Sequence, residues 1–191
     1  MSEVQQAASD SNAQQRGLFL LFQLGDERYA CDVASVVEVL SVPALRPLAG
    51  MPDWVAGIFV HDDQVVPVLD LCALTLGRPA RRQTSTRLLL SRYGREGQQG
   101  SAAVAQNSAP LFGVLVERAT ATLRCGVHEF SQHGLEQREK DYLGPVRRDE
   151  RGLVQRVSIQ RLLTEEVHSL LFPADKLLVL TPSAAAGETS S

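Results

Sequence analysis

His61, Asp62 and Asp63 are the residues of this chain that most resemble the start of a chemical site. An imidazole beside two carboxylates is the kind of set that holds a divalent cation or moves a proton. Their spacing argues against it. The three are consecutive, and consecutive side chains on a strand point to opposite faces, so they cannot converge on one ion. A polar turn accounts for them better. Ser158, His168 and neighbouring acids are the only other hydrolytic set to weigh, and no GxSxG context surrounds the serine. No Walker A sequence and no GxGxxG fingerprint occurs. Cys31, Cys72 and Cys125 are far apart, with no CxxC pair. They read as buried thiols, not as a disulfide framework or a zinc site. The expectation is a protein without catalytic residues, metal or cofactor.

Charge narrows the partners. Across 191 residues the net charge is −3 and aromatics are 5%. Arg78, Arg81, Arg82, Arg87 and Arg92 form a basic run with no acid between Asp70 and Glu96. Nucleic-acid binding would want stacking rings among them, and only Tyr93 is close. A β-barrel that binds nucleic acid is therefore the weaker alternative, and contact of the arginines with an acidic protein surface is the stronger one.

The elements that position these residues are short and apolar. Val55, Ile58, Phe59 and Val60 lead into His61-Asp62-Asp63-Gln64, and Val65, Val66, Val68 and Leu69 follow. β-branched runs on either side of turn residues predict a hairpin. This one is apolar enough to be expected between two packed layers. Leu18–Leu24 and Arg28–Asp32 form an earlier hairpin around Gly25-Asp26-Glu27. Val33–Val42 is ambiguous between helix and strand, and a helical turn followed by a strand fits best. Pro52-Asp53-Trp54-Val55 reads as a short helical turn. Asp70 is placed to cap a helix over Leu71–Leu76 that Gly77 ends. Arg87–Tyr93, Leu111–Val116 and Ala119–Cys125 read as three further strands. Leu143–Val146 and Leu153–Ile159 read as a last hairpin. Ser158 is placed to cap a final helix with Ile159, Leu162, Leu163, Val167, Leu170 and Leu171 on one face, ended by Pro173. Residues 1–16 have few apolar residues and no periodicity and are expected to be disordered, the stretch 94–110 reads as a low-complexity mobile loop, and residues 174–191 as a mostly disordered tail. No apolar run reaches 18 residues and no signal peptide opens the chain, so the expected location is the cytosol. Many short strands and little helix predict an all-β barrel fold over residues 17–173.

The series Phe19-Leu-Leu-Phe-Gln-Leu-Gly-Asp-Glu-Arg-Tyr, Val36-Val-Glu-Val, Pro52, Gly57, Val65-Val-Pro-Val-Leu-Asp-Leu71, Leu111-Phe-Gly-Val-Leu-Val116, Tyr142-Leu-Gly and Leu153-Val-x-x-Val-x-Ile-x-x-Leu-Leu163 resembles the CheW family of chemotaxis coupling proteins. The resemblance implies two packed five-stranded SH3-like β-barrels with a C-terminal helix. It implies an adaptor that binds the regulatory domain of a CheA-type histidine kinase and the cytoplasmic tip of a methyl-accepting chemoreceptor, recruited to membrane-associated receptor complexes. It points to Val36, Glu38 and Gly57 as receptor-facing positions, together with the turn His61, Asp62 and Asp63. CheA-type kinases end in a domain of the same fold, but the absence of kinase motifs favours a stand-alone adaptor. The family's usual Asn-Leu-Arg-Gly at the hairpin turn is here Val60-His61-Asp62-Asp63. An aspartate in place of the family arginine inverts the charge. With the long stretch after Gly94, this suggests a paralogue serving a non-motility pathway such as a Wsp-type surface-sensing system, with partner choice written in the turn.

Overall fold

The structure is a computed structural model that describes residues 16–93, 109–131 and 141–172. The described residues form nine strands: β1 (Arg16–Leu24), β2 (Glu27–Asp32), β3 (Glu38–Ser41), β4 (Val55–His61), β5 (Gln64–Asp70), β6 (Arg87–Arg92), β7 (Leu111–Gly126), β8 (Leu143–Asp149) and β9 (Gly152–Val157). Two short helices accompany them, α1 (Leu71–Leu76) between β5 and β6 and α2 (Glu165–Leu171) after β9. The segments expected to be disordered or mobile lie outside the described residues, except that Arg16 already pairs with Gly126 at the start of β1 and that Pro110 accepts from Tyr93 N–H at 2.9 Å.

The all-β expectation matches this architecture. One half-barrel contains β1, β2, β9 and β8, and the other contains β3, β6, β5 and β4. The long strand β7 serves both. Its first half pairs with β6 and β5, and its second half with β1. The sequence suggests two strands here, Leu111–Val116 and Ala119–Cys125, because Glu117-Arg118 interrupts the apolar run. The chain stays extended instead, and bends at Arg118, whose φ is +48°.

Alternation along the strands sorts side chains into three cores. Phe19, Ala30, Cys125, Phe130 and Val154 fill the first barrel. Phe59, Val66, Val68, Leu88, Leu90, Leu111 and Leu115 fill the second. The largest cluster, including Leu20, Phe22, Leu69, Leu89, Phe112 and Val114, draws from both barrels and joins them. Leu20 and Phe22 therefore face the seam because their neighbour Phe19 faces the barrel interior.

The ends of the elements follow local chemistry. Asp70 accepts from the N–H groups of Cys72 and Ala73 at 2.9 and 3.1 Å, and Gly77 closes α1 at φ +67°. Both are legible in the sequence. The final helix is not as expected. Ile159 and Leu162 belong to a 3-10 turn region, and α2 starts later, capped by Thr164, whose hydroxyl accepts from Val167 N–H at 3.3 Å. Leu163, at φ −94° and ψ 81°, breaks the helical path between them. Ser158 is thus not its cap; its backbone N–H donates to Tyr142 O at 2.9 Å, closing the 141–143 turn onto the end of β9.

Two forked ion pairs tie distant segments together. Arg28 meets Asp149 at 2.6 and 2.8 Å, and Arg78 meets Glu117 at 2.8 and 3.1 Å. The Arg78 guanidinium holds the Glu117 carboxyl down at about 2, and Arg28 holds Asp149 at about 2. A carboxyl whose folded pKa is depressed adds stability that is complete above its unfolded pKa and is lost as pH falls toward the folded one. The unfolding midpoint should therefore be flat from neutral pH to about 5 and fall below that, across the range between the ordinary carboxylate values and about 2. Thermal melts of the wild type and Glu117→Gln check this. The variant should melt lower at neutral pH and lose part of the acid-side decline. An acid limb of unchanged depth in the variant would contradict the assignment.

Candidate functional site

The β4–β5 hairpin turns on Asp62 and Asp63, both in the left-handed region at φ +45° and +60°. Two positive φ values in a two-residue loop give the turn whose twist matches the strands, and aspartate tolerates that conformation better than most residues. The turn is polar for this reason. The hairpin is not buried along its whole length between layers. From Val66 inward β5 is buried, but the tip stands free: Val60 is 68% and Val65 40% exposed, and the two are directly paired across the strands.

His61 and Glu38 each lie two residues from an inward-facing side chain. Phe59 and Leu40 contribute to the interior of the second barrel, so alternation brings His61 and Glu38 to the same side, at its mouth. The His61 ring lies 6.0 Å from the Phe59 ring. Its Nε2 is 3.5 Å from Glu38 Oε2 and 3.6 Å from Asp62 Oδ2. These become ion pairs when the imidazole is protonated. Glu38 is half exposed and Asp62 almost fully exposed, so each pairing is worth at most about 1 kcal/mol. The group that could have held a metal is thus split: Asp62 sits beside the ring, whereas Asp63 continues the turn.

Val37 and Val39 flank Glu38 and point the other way, 51% and 45% exposed. Val39 lies opposite Leu89, a residue of the seam between the barrels. β3 pairs with β6, while the Arg46 segment pairs with β4 through reciprocal bonds to Ile58 at 2.8 and 2.9 Å. Two apolar flanks, Val37/Val39 and Val60/Val65, therefore border the Glu38–His61 mouth. Sequence reasoning misses these four valines as a surface. Apolar residues at alternating positions signal a core, and only their place at a short strand and a hairpin tip turns them outward.

Val36 and Gly57 occupy the region without facing out. Val36 ends the Val33–Ser35 turn and packs against the seam core. Gly57 is buried at φ +132°. A Cβ there would overlap the Arg46 carbonyl oxygen and lie 2.9 Å from its carbon. The glycine is required by close backbone approach. His168 stacks between Tyr93 and Phe172, with ring centroids 4.2 and 5.0 Å away. Burial pushes the thiols of Cys31 and Cys72 up to about 12, so neither carries a reactive thiolate at neutral pH. No helix among the described residues is long and apolar enough to cross a membrane.

The family described as CheW-like domain matches residues 18–167. The chain is 38% identical over 50 residues to a Chemotaxis protein CheW of Treponema pallidum, covering 26% of this chain and 29% of that one. It is 36% identical over 76 residues to Protein FrzA of Myxococcus xanthus, covering 40% and 48%. The matched stretches thus span less than half the length of these curated relatives. The crystal structure of the scaffolding protein TtCheW from Thermoanaerobacter tengcongensis superposes with a TM-score of 0.62 over 79% of this chain and 90% of that one, at 13% identity.

Proposed function

Because this chain belongs to the CheW-like domain family, we propose that it is a non-catalytic coupling scaffold that joins a chemoreceptor tip to a CheA-type histidine kinase. The family match and the two-barrel fold support the class of function. The observation that carries the local reading is the mouth of the second barrel, where Glu38 and His61 are bordered by exposed Val37, Val39, Val60 and Val65. Small apolar patches rimmed by charged groups are the anatomy of a transient protein interface. The receptor tip docks there, with the kinase regulatory domain on another surface of the same rigid pair of barrels. Simultaneous occupancy couples the two partners by linkage. The scaffold then works where receptor complexes assemble, beside the membrane.

Glu38, His61, Asp62 and Asp63 act as specificity residues in this reading, and Val36 and Gly57 shape the surface from beneath. Asp62→Arg tests the assignment. It turns the carboxylate beside His61 into a cation at an exposed tip, so repulsion between a rim charge and its partner is exchanged for attraction, or the reverse. Binding of a panel of receptor-tip peptides should be reordered by about tenfold, with kinase-domain affinity and melting temperature little changed. Unchanged affinities for every tip would remove the turn from the receptor interface.

A further inference from the structure

The segment between α1 and β6 is held at three points. Asp70 accepts from Ala80 N–H at 2.7 Å, in addition to capping α1. Glu117 accepts from Arg81 N–H at 2.6 Å, and the Thr86 hydroxyl donates to the Arg81 carbonyl at 2.6 Å. The backbone of Arg81 is therefore fixed on both sides. Glu117 is only 5% exposed, and its charge is matched by the forked pair with Arg78.

What remains outside is positive. Arg81 and Arg82 are exposed, and so is Arg118, the neighbour of Glu117 on β7. Among the described residues none of these three has a carboxylate within ion-pair distance. Arg118 sits at φ +48°, a conformation that costs a non-glycine residue energy, and donates from its guanidinium to Gln23 Oε1 at 2.8 Å. Arg87 enters β6 opposite Val116, with its guanidinium on the Thr84 and Thr86 carbonyls. Leu76, 41% exposed, ends α1 against the Gly25 turn beside Arg78. The sequence between Asp70 and Glu96 carries no acid.

We infer that this arginine face, with Leu76 at its margin, is a docking surface for an acidic, leucine-bearing segment of a partner protein. Arginine forks suit carboxylates, and an apolar side chain on the partner would cover Leu76. A protein fits better than nucleic acid, because the sequence from Arg78 to Arg92 holds no aromatic residue to stack on bases and the whole chain carries −3. It fits better than a lipid surface, because one leucine is too little apolar area to insert. The surface is separate from the receptor-facing mouth. Glu38 lies opposite Leu90 and Ser41 opposite Arg87, so three residue steps along β6, about 10 Å, divide Glu38 from the strand's arginine end. The inference stands whether or not the receptor reading holds.

The test uses the full chain and a fluorescent peptide alternating glutamate with leucine, its glutamine counterpart as control. The acidic peptide should bind and weaken with salt, and the glutamine peptide should bind far less. The double variant Arg81→Glu/Arg82→Glu should lose about tenfold in affinity while remaining folded by circular dichroism. Arg118→Gly accepts the positive φ without its side chain, so it should bind about threefold more weakly with a melting temperature unchanged or higher. Equal binding of both peptides, or undiminished binding by the folded double variant, overturns the inference. So does arginine-dependent binding to phosphatidylglycerol vesicles or to a short duplex DNA without binding to the acidic peptide.

Discussion

Gly57→Ala should lower the free energy of unfolding by about 2–4 kcal/mol, a large effect for one methyl group. Two costs add. Alanine at φ +132° is strained even with open space around it. Here there is none, because the new Cβ would collide with the Arg46 carbonyl. That carbonyl accepts from Ile58 N–H at 2.9 Å, and Arg46 N–H returns the bond at 2.8 Å, so relieving the collision breaks the bridge that holds the 43–47 segment against β4. Chemical denaturation measures the loss. Receptor-tip binding should fall with it, because the segment braces the strand that carries Val60 and His61. A loss below about 1 kcal/mol would mean that the Arg46 segment moves aside without cost. Weaker binding with no loss of stability would instead assign Gly57 a direct place in the interface.

Phe112→Ala should be still more damaging, by about 3–5 kcal/mol, because it empties a site in the seam between the barrels. Phe112 is fully buried in the cluster that also holds Leu20 and Phe22 of the first barrel and Leu69 and Leu89 of the second. It lies on β7, the strand both barrels share. With so much of the apolar core at the seam, neither barrel retains a sufficient core alone, and unfolding should remain a single transition that shifts as a whole. Calorimetry decides the matter. Two transitions in the variant, only one of them displaced, would show that the barrels are separable units.

Much of this architecture is legible in the chain because local chemistry marks its ends. Asp70 and Gly77 bracket α1 with a cap and a left-handed closure, and Gly25 and Asp62-Asp63 mark hairpin turns. Legibility fails where a tertiary interaction outranks the local pattern. Glu117-Arg118 looks like a break between strands, yet Arg78 and the Arg81 N–H satisfy the glutamate and let β7 run through. The face around Leu163 looks like one helix, yet a backbone break and the Thr164 cap divide it.

The site is less legible than the fold. Glu38 and the turn stand out by polarity and by resemblance, but the pairing of His61 with Glu38 depends on a barrel mouth that no local pattern reveals. Val37, Val39, Val60 and Val65 carry the same alternation as core valines, and their exposure follows from position in the topology. Gly57 draws attention as a possible contact, and its geometry gives it a backbone duty. The arginines after Gly77 are conspicuous in the sequence, whereas the neutralisation of Glu117 beneath them is visible only in three dimensions.

The most direct test of the coupling account is titration calorimetry of the full chain with the kinase regulatory domain, alone and in the presence of a saturating receptor-tip peptide. The account predicts that each partner binds by itself, that the two bind together, and that each alters the affinity for the other by the same factor. Mutual displacement, or no binding of either partner at concentrations on the order of tens of micromolar, would contradict it.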